Sequence, residues 1–94
     1  MTMKHQESRS QAIPEHVLEI LRDTTSTADV ATNLDLPLYD SGLLDSLGTV
    51  TLMIAFGDAF GLDISPAEFD REAWATPRKI IVDIERRIGQ KSSR

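Results

Sequence analysis

The sequence predicts an all-α domain, a four-helix bundle of three longer helices and one short one. Apolar residues recur at helical spacing in three separate stretches, Ser-Pro and Thr-Pro pairs stand where two helices would begin, and glycines stand where two would end. Nothing in the pattern suggests strands. Ninety-four residues with 40% hydrophobic content make one small domain with a modest core, and a chain of this size buries about 60–65% of its unfolded surface.

Residues 1–12 are polar and unpatterned and read as a disordered N-terminal arm. The first helix is expected to start near Pro14, a residue suited to a first helical turn. Val17, Leu18, Ile20 and Leu21 make its apolar face, joined by Ile13. Thr24–Thr27 and Asp29 break that helix and open a long loop that lasts to Asp45 and contains Asn33, Pro37 and Gly42. Loops of such length are functional or held by their own side chains. Leu34, Leu36 and Leu38, with Tyr39 beside them, are the expected pins.

The second helix should run from about Ser46 to Phe60, with Gly61 as its C-terminal cap. Ser65-Pro66-Ala67-Glu68 has the form of a capping box and should start a short third helix carrying Phe69. Thr76-Pro77 repeats the cap-plus-proline device before a fourth helix, in which Ile80, Ile81, Ile84 and Ile88 follow helical spacing and Gly89 marks the end. Residues 91–94 read as a disordered tail, so the folded domain is expected over 13–90. Trp74 is expected to anchor the turn between the last two helices.

Composition excludes several chemistries. The chain has no cysteine, which removes disulfides, zinc–thiolate sites and cysteine nucleophiles. Residues 1–13 hold no apolar run of the signal-peptide kind, and no segment is long enough to span a bilayer; a cytoplasmic protein that does not insert into membranes is the expectation. The net charge of −5 is unevenly spread: from Pro14 to Asp70 there are eleven acidic residues and one basic residue, Arg22. Such an acidic middle repels phosphate backbones and argues against nucleic-acid binding. The basic excess after Asp70 suits the C-terminal end of a helix dipole.

The informative run is Asp40-Ser41-Gly42-Leu43-Leu44-Asp45-Ser46-Leu47-Gly48-Thr49-Val50. It closes the long loop and opens the second helix, placing Ser46 where unpaired backbone N–H groups and the macrodipole favour a phosphate. A serine there is either a simple cap or the carrier of a phosphate-linked group. At about 100° per residue, Thr49, Leu52, Met53, Phe56 and Phe60 share one face of this helix, whereas Leu47, Val50 and Ile54 share the opposite face. A bundle helix needs only one apolar face. The second is either covered by a neighbouring segment or forms a docking stripe beside Ser46.

Other site chemistry is poorly supported. A Ser–His–Asp arrangement would need His5 or His16 beside Ser46, but the first lies in the arm and the second among surface positions. Asp35, Asp40 and Asp45 are spaced by five, unlike the alternating ligands of a calcium loop, and no metal site is expected.

A serine after aspartate at the start of the second helix, following a long loop in an acidic domain of this size, resembles the acyl and peptidyl carrier proteins. The segments Leu43-Leu44-Asp45-Ser46-Leu47-Gly48-Thr49-Val50 and Glu68-Phe69-Asp70-Arg71-Glu72-Ala73-Trp74-Ala75-Thr76-Pro77 are similar to the D-alanyl carrier branch of that family. The resemblance covers about residues 34 to 84. It implies an acyl-carrier-protein-like bundle and a carrier domain over 13–90. Ser46 would be the attachment site of 4'-phosphopantetheine derived from coenzyme A, and Asp45 the acidic neighbour of the motif. Leu47, Val50 and Ile54 fall where carriers of this kind contact their enzymes.

What the resemblance further implies is a non-catalytic carrier holding an aminoacyl group, D-alanine in this branch, as a thioester for cell-envelope D-alanylation of the teichoic-acid type. The implied partners are a phosphopantetheinyl transferase, an adenylating D-alanine ligase and a membrane-bound acyltransferase, visited by a monomer. One departure stands out: fatty-acid carriers have an acid-rich second helix, whereas here Gly48, Thr51 and Gly57 occupy outer positions and only Asp58 is acidic. The alternatives are a carrier for another amino acid or acyl group, and an unmodified helical adaptor that docks through its outer stripe.

Overall fold

In the computed structural model, backbone is described for residues 4–92 and side chains for residues 13–91, Glu68 excepted. The helices are α1 (Lys4–Thr25), α2 (Asp29–Thr32), α3 (Ser46–Phe60) and α4 (Pro77–Ser92), with 3-10 turns at Pro66–Glu68 and Arg71–Trp74 between α3 and α4. No strand occurs among the described residues.

Helical periodicity decides what each element buries. Val17 and Leu21 on α1, Leu52, Met53 and Phe56 on α3, and Ile80 and Ile84 on α4 are all buried in one core. Ile13, Ile20, Phe60, Ile81 and Ile88 pack around it half-exposed. α1 lies against both α3 and α4, which makes it the back wall of the bundle. At the end of α3, Gly61 adopts a left-handed φ of 67°, and its N–H bonds to the Gly57 carbonyl. That conformation suits glycine because no Cβ meets the following carbonyl.

The long connection between α1 and α3 is held in the way its leucines suggest. Leu38 is fully buried, with Leu34, Leu36 and Tyr39 half-buried nearby. Its backbone is tied as well: the Leu38 N–H donates to the Ala75 carbonyl at 2.9 Å, and the Arg78 N–H donates to the Leu34 carbonyl at 2.9 Å. One further pin is Val30, fully buried on the single-turn helix α2. One turn offers too few residues for a period to appear in the sequence.

Three boundaries differ from the sequence expectation. α1 is described from Lys4 rather than from Pro14, which lies inside it. The stretch before Pro14 lacks an apolar face but also lacks glycine and proline, and its Lys, Gln, Glu, Arg and Ala residues are good helix formers. Of the arm expected over 1–12, residues 4–12 therefore belong to α1, and residues 1–3 lie outside the described residues.

Gly89 does not end α4, which continues to Ser92, because a Cβ-free position is tolerated inside a helix. Of the expected tail, 91 and 92 are in α4 and 93–94 lie outside the described residues. The short third helix is split into the two 3-10 turns. Ser65 caps the first by accepting from the Ala67 N–H at 3.2 Å, and Asp70 caps the second by accepting from the Glu72 N–H at 3.0 Å. Two caps five residues apart leave each turn too short to become an α-helix.

Candidate functional site

The start of α3 is organised by Asp45. Its backbone is extended, and its Oδ1 accepts from the Gly48 N–H at 2.8 Å, the arrangement of an N-cap. Ser46 is thus the first residue inside the helix. Its side chain is exposed, and the capping task expected of a lone serine has passed to its neighbour. The backbone N–H groups of this first turn have no intrahelical acceptors, which gives the position around Ser46 its preference for negative charge.

A short relay fixes this turn to the long loop. The Thr49 hydroxyl donates to the Asp45 carbonyl at 2.8 Å, so the 2.6 Å contact between Thr49 Oγ1 and the Tyr39 hydroxyl has tyrosine as donor. Beneath Ser46, Leu44 is buried and its N–H donates to the Leu38 carbonyl at 3.0 Å.

Beside Ser46 opens a cleft of ≈ 460 Å³ between α3 and the 3-10 turns. Leu44, Met53 and Phe69 supply apolar surface, while Asp45, Tyr39 and Arg71 line its polar side. The Arg71 guanidinium carbon lies 4.5 Å from the centre of the Tyr39 ring. The wall carrying Phe69 is braced from behind: Phe69 meets Trp74 edge-on at 5.1 Å, and Trp74 meets Phe56 at 5.5 Å.

Trp74 Nε1 donates to Asp83 Oδ2 at 2.8 Å, where Arg87 Nε also donates at 2.8 Å, and Arg86 bonds the other carboxylate oxygen. Burial pushes the Asp83 carboxyl up, but the bonds from Arg87, Trp74 and Arg86 and the charge of Arg87 outweigh it, holding the pKa below the ordinary carboxylate value. On the surface, hydrogen bonding to Arg78 and the charge of its guanidinium likewise lower the Asp35 pKa.

The sequence-predicted residues come together. Asp45 caps α3, Ser46 and Leu47 open its first turn, and Val50 and Ile54 follow along the same exposed side. Leu47 is 75% exposed, Val50 43% and Ile54 62%, so neither the loop nor the 3-10 turns cover this stripe. His16 instead packs edge-on against Phe60 at the opposite end of α3, roughly 20 Å from Ser46 by helix rise. His5 lies outside the described side chains.

Asp35, Asp40 and Asp45 do not converge, and no group of three or more metal-ligating side chains occurs among the described residues. Nor is any helix there long and apolar enough to cross a membrane. Sequence reasoning missed Asp83 and the placement of Arg71. A carboxylate one turn from Ile80 on a buried face, followed by Arg86 and Arg87 at helical spacing, was the available signal for Asp83. For Arg71 there was none, because its position depends on a tertiary contact.

A family model for the phosphopantetheine attachment site matches residues 15–84. The chain is 51% identical over 75 residues to the D-alanyl carrier protein of Lacticaseibacillus casei, an alignment covering 80% of this chain and 93% of that protein. It is 45% identical over 73 residues to the D-alanyl carrier protein of Enterococcus faecalis, covering 78% of this chain and 94% of that one. The chain belongs to the D-alanyl carrier protein family. Proteins of this family are phosphopantetheine-bearing carriers, and the site fits that group. It offers an exposed hydroxyl released from capping, at a helix end that favours phosphate, on the rim of a cleft with apolar surface.

Proposed function

We infer that this chain carries D-alanine on a 4'-phosphopantetheine group attached to Ser46 and takes no catalytic part itself. The observation that carries the reading is the division of labour at the start of α3, where Asp45 caps the helix and leaves the Ser46 hydroxyl exposed. The 51% identity to a protein named D-alanyl carrier protein supports the cargo. When bound, phosphopantetheine supplies a terminal thiol that holds an acyl group as a thioester.

The chain's own residues position and present. Among the described residues, Asp45 is the one carboxylate lining the cleft, its Oδ1 is engaged with the Gly48 N–H, and no histidine lines the cleft. Ser46 therefore finds no free general base among the described residues lining the cleft, and on this reading a partner enzyme takes its proton. A phosphopantetheinyl transferase would fill that role. Leu47, Val50 and Ile54 are the docking stripe on which this enzyme, a D-alanine-activating ligase and a membrane-bound acyltransferase alternate. An apolar patch of three side chains suits weak, reversible contact, and a tethered cargo compensates through raised effective concentration. The cytoplasm, where coenzyme A and ATP are available, is the compartment this reading requires.

Intact-protein mass spectrometry after incubation with coenzyme A and a broad-specificity phosphopantetheinyl transferase tests the attachment. Wild type should gain one phosphopantetheine and Ser46→Ala none. A gain on both would move the attachment elsewhere, and a gain on neither would favour an unmodified adaptor. Loading of the modified chain by ligases offered D-alanine, L-alanine and other amino acids then tests the cargo. Preference for anything but D-alanine would place the chain in another carrier pathway.

A further inference from the structure

Arg71 stands on the wall of the cleft that opens at Ser46. Its guanidinium lies over the Tyr39 ring, an arrangement that orients the planar fork while leaving its edge N–H donors available. Its neighbours in sequence are committed: Arg78 pairs with Asp35, Lys79 with Glu72, and Arg86 and Arg87 with Asp83. Arg71 makes no ion pair among the described residues. It is also the first basic residue after Arg22 along an otherwise acidic stretch.

The ring beneath it is not free to wander, because the Tyr39 hydroxyl is bonded to Thr49. Thr49 stands three residues beyond Ser46 on α3, a spacing that puts their Cβ atoms about 5–6 Å apart. Arg71, over a ring anchored in this way, lines the same cleft as Ser46.

We propose that Arg71 binds the phosphodiester of the Ser46-linked phosphopantetheine and directs the arm into the cleft toward Leu44, Met53 and Phe69. This rests on the attachment reading above. A phosphodiester at Ser46 brings a negative charge next to the Asp45 carboxylate, and a guanidinium offsets that repulsion while giving two parallel N–H donors to two phosphate oxygens. Tyr39 acts as the platform that keeps the fork in place. Because Arg71 is exposed, the contact is sensitive to salt.

The test uses the full chain loaded with phosphopantetheine, as wild type, Arg71→Met and Arg71→Lys, with loading at Ser46 verified by intact mass. Failure to load wild type, or equal loading of Ser46→Ala, would overturn the attachment reading and is seen before the arginine is probed. On loaded protein, ³¹P chemical shift and transverse relaxation are recorded.

The Arg71→Met resonance is expected to narrow and move toward that of the urea-unfolded loaded chain, with Arg71→Lys between it and wild type. Thermal midpoints of the unloaded variants should match wild type. At about 1 M salt, where the Debye length falls to about 3 Å, the wild-type resonance should move toward the Arg71→Met value. Identical ³¹P shift and relaxation in wild type and Arg71→Met would overturn the proposal. If Arg71→Met failed to fold, a wild-type resonance indifferent to salt would overturn it equally.

Discussion

Asp83 shows how a charge can sit in a small core. Its carboxylate is buried yet satisfied by three donors on Trp74, Arg86 and Arg87, and its pKa is depressed in the fold. The stabilisation it contributes is therefore complete above the ordinary value of 3.8 and is lost as pH falls through that value toward the lower folded pKa. Asp83→Asn should cost about 1–3 kcal/mol at neutral pH and flatten the acid limb of stability, checked by urea unfolding across pH. Asp45 is the opposite case, exposed and local. Asp45→Ala should cost about 1 kcal/mol through the lost cap, whereas Asp45→Asn keeps an acceptor and should stay near wild type in the same assay. The Asp-Ser pair was legible in sequence because capping is a short-range affair; Asp83 was legible only in its helical spacing to Arg86 and Arg87, since its third partner, Trp74, lies nine residues away in another element.

α3 carries two faces with different duties, and its sequence shows both. The inner face of Thr49, Leu52, Met53 and Phe56 is buried as the periodicity predicts, and Gly61 ends the helix where expected. Gly61→Ala should destabilise by about 1–2 kcal/mol, because a Cβ is forced into the left-handed region; thermal unfolding reads this directly. The outer stripe behaves differently under substitution. Leu47→Ser and Ile54→Ser should leave stability within about 0.5 kcal/mol of wild type, while the carrier concentration needed for half-maximal loading by a cognate ligase rises several-fold. Equal loading would remove the stripe from the docking surface. What the sequence concealed about the elements is length: the Ser65-Pro66 signal correctly marks a start, but the second cap at Asp70 interrupts the helix before it can extend.

Across the whole molecule, the bundle closes around residues drawn from all four α-helices, the segments joining them and the Arg71–Trp74 turn. The sequence before Ile13 offers no apolar face to bury, so removing residues 1–12 is expected to leave the thermal midpoint unchanged and to lower the far-UV helical signal per molecule. A loss of cooperativity would show that the folded unit extends ahead of residue 13. The same packing has an experimental consequence. Trp74 is the chain's single tryptophan, and it touches Phe69 of the cleft wall, Phe56 of α3 and Asp83 of α4 at once. Its emission is therefore an intrinsic gauge of the site's wall. A shift to longer wavelength would report water reaching the indole, and quenching during arm attachment would report movement at Phe69, both without any added label.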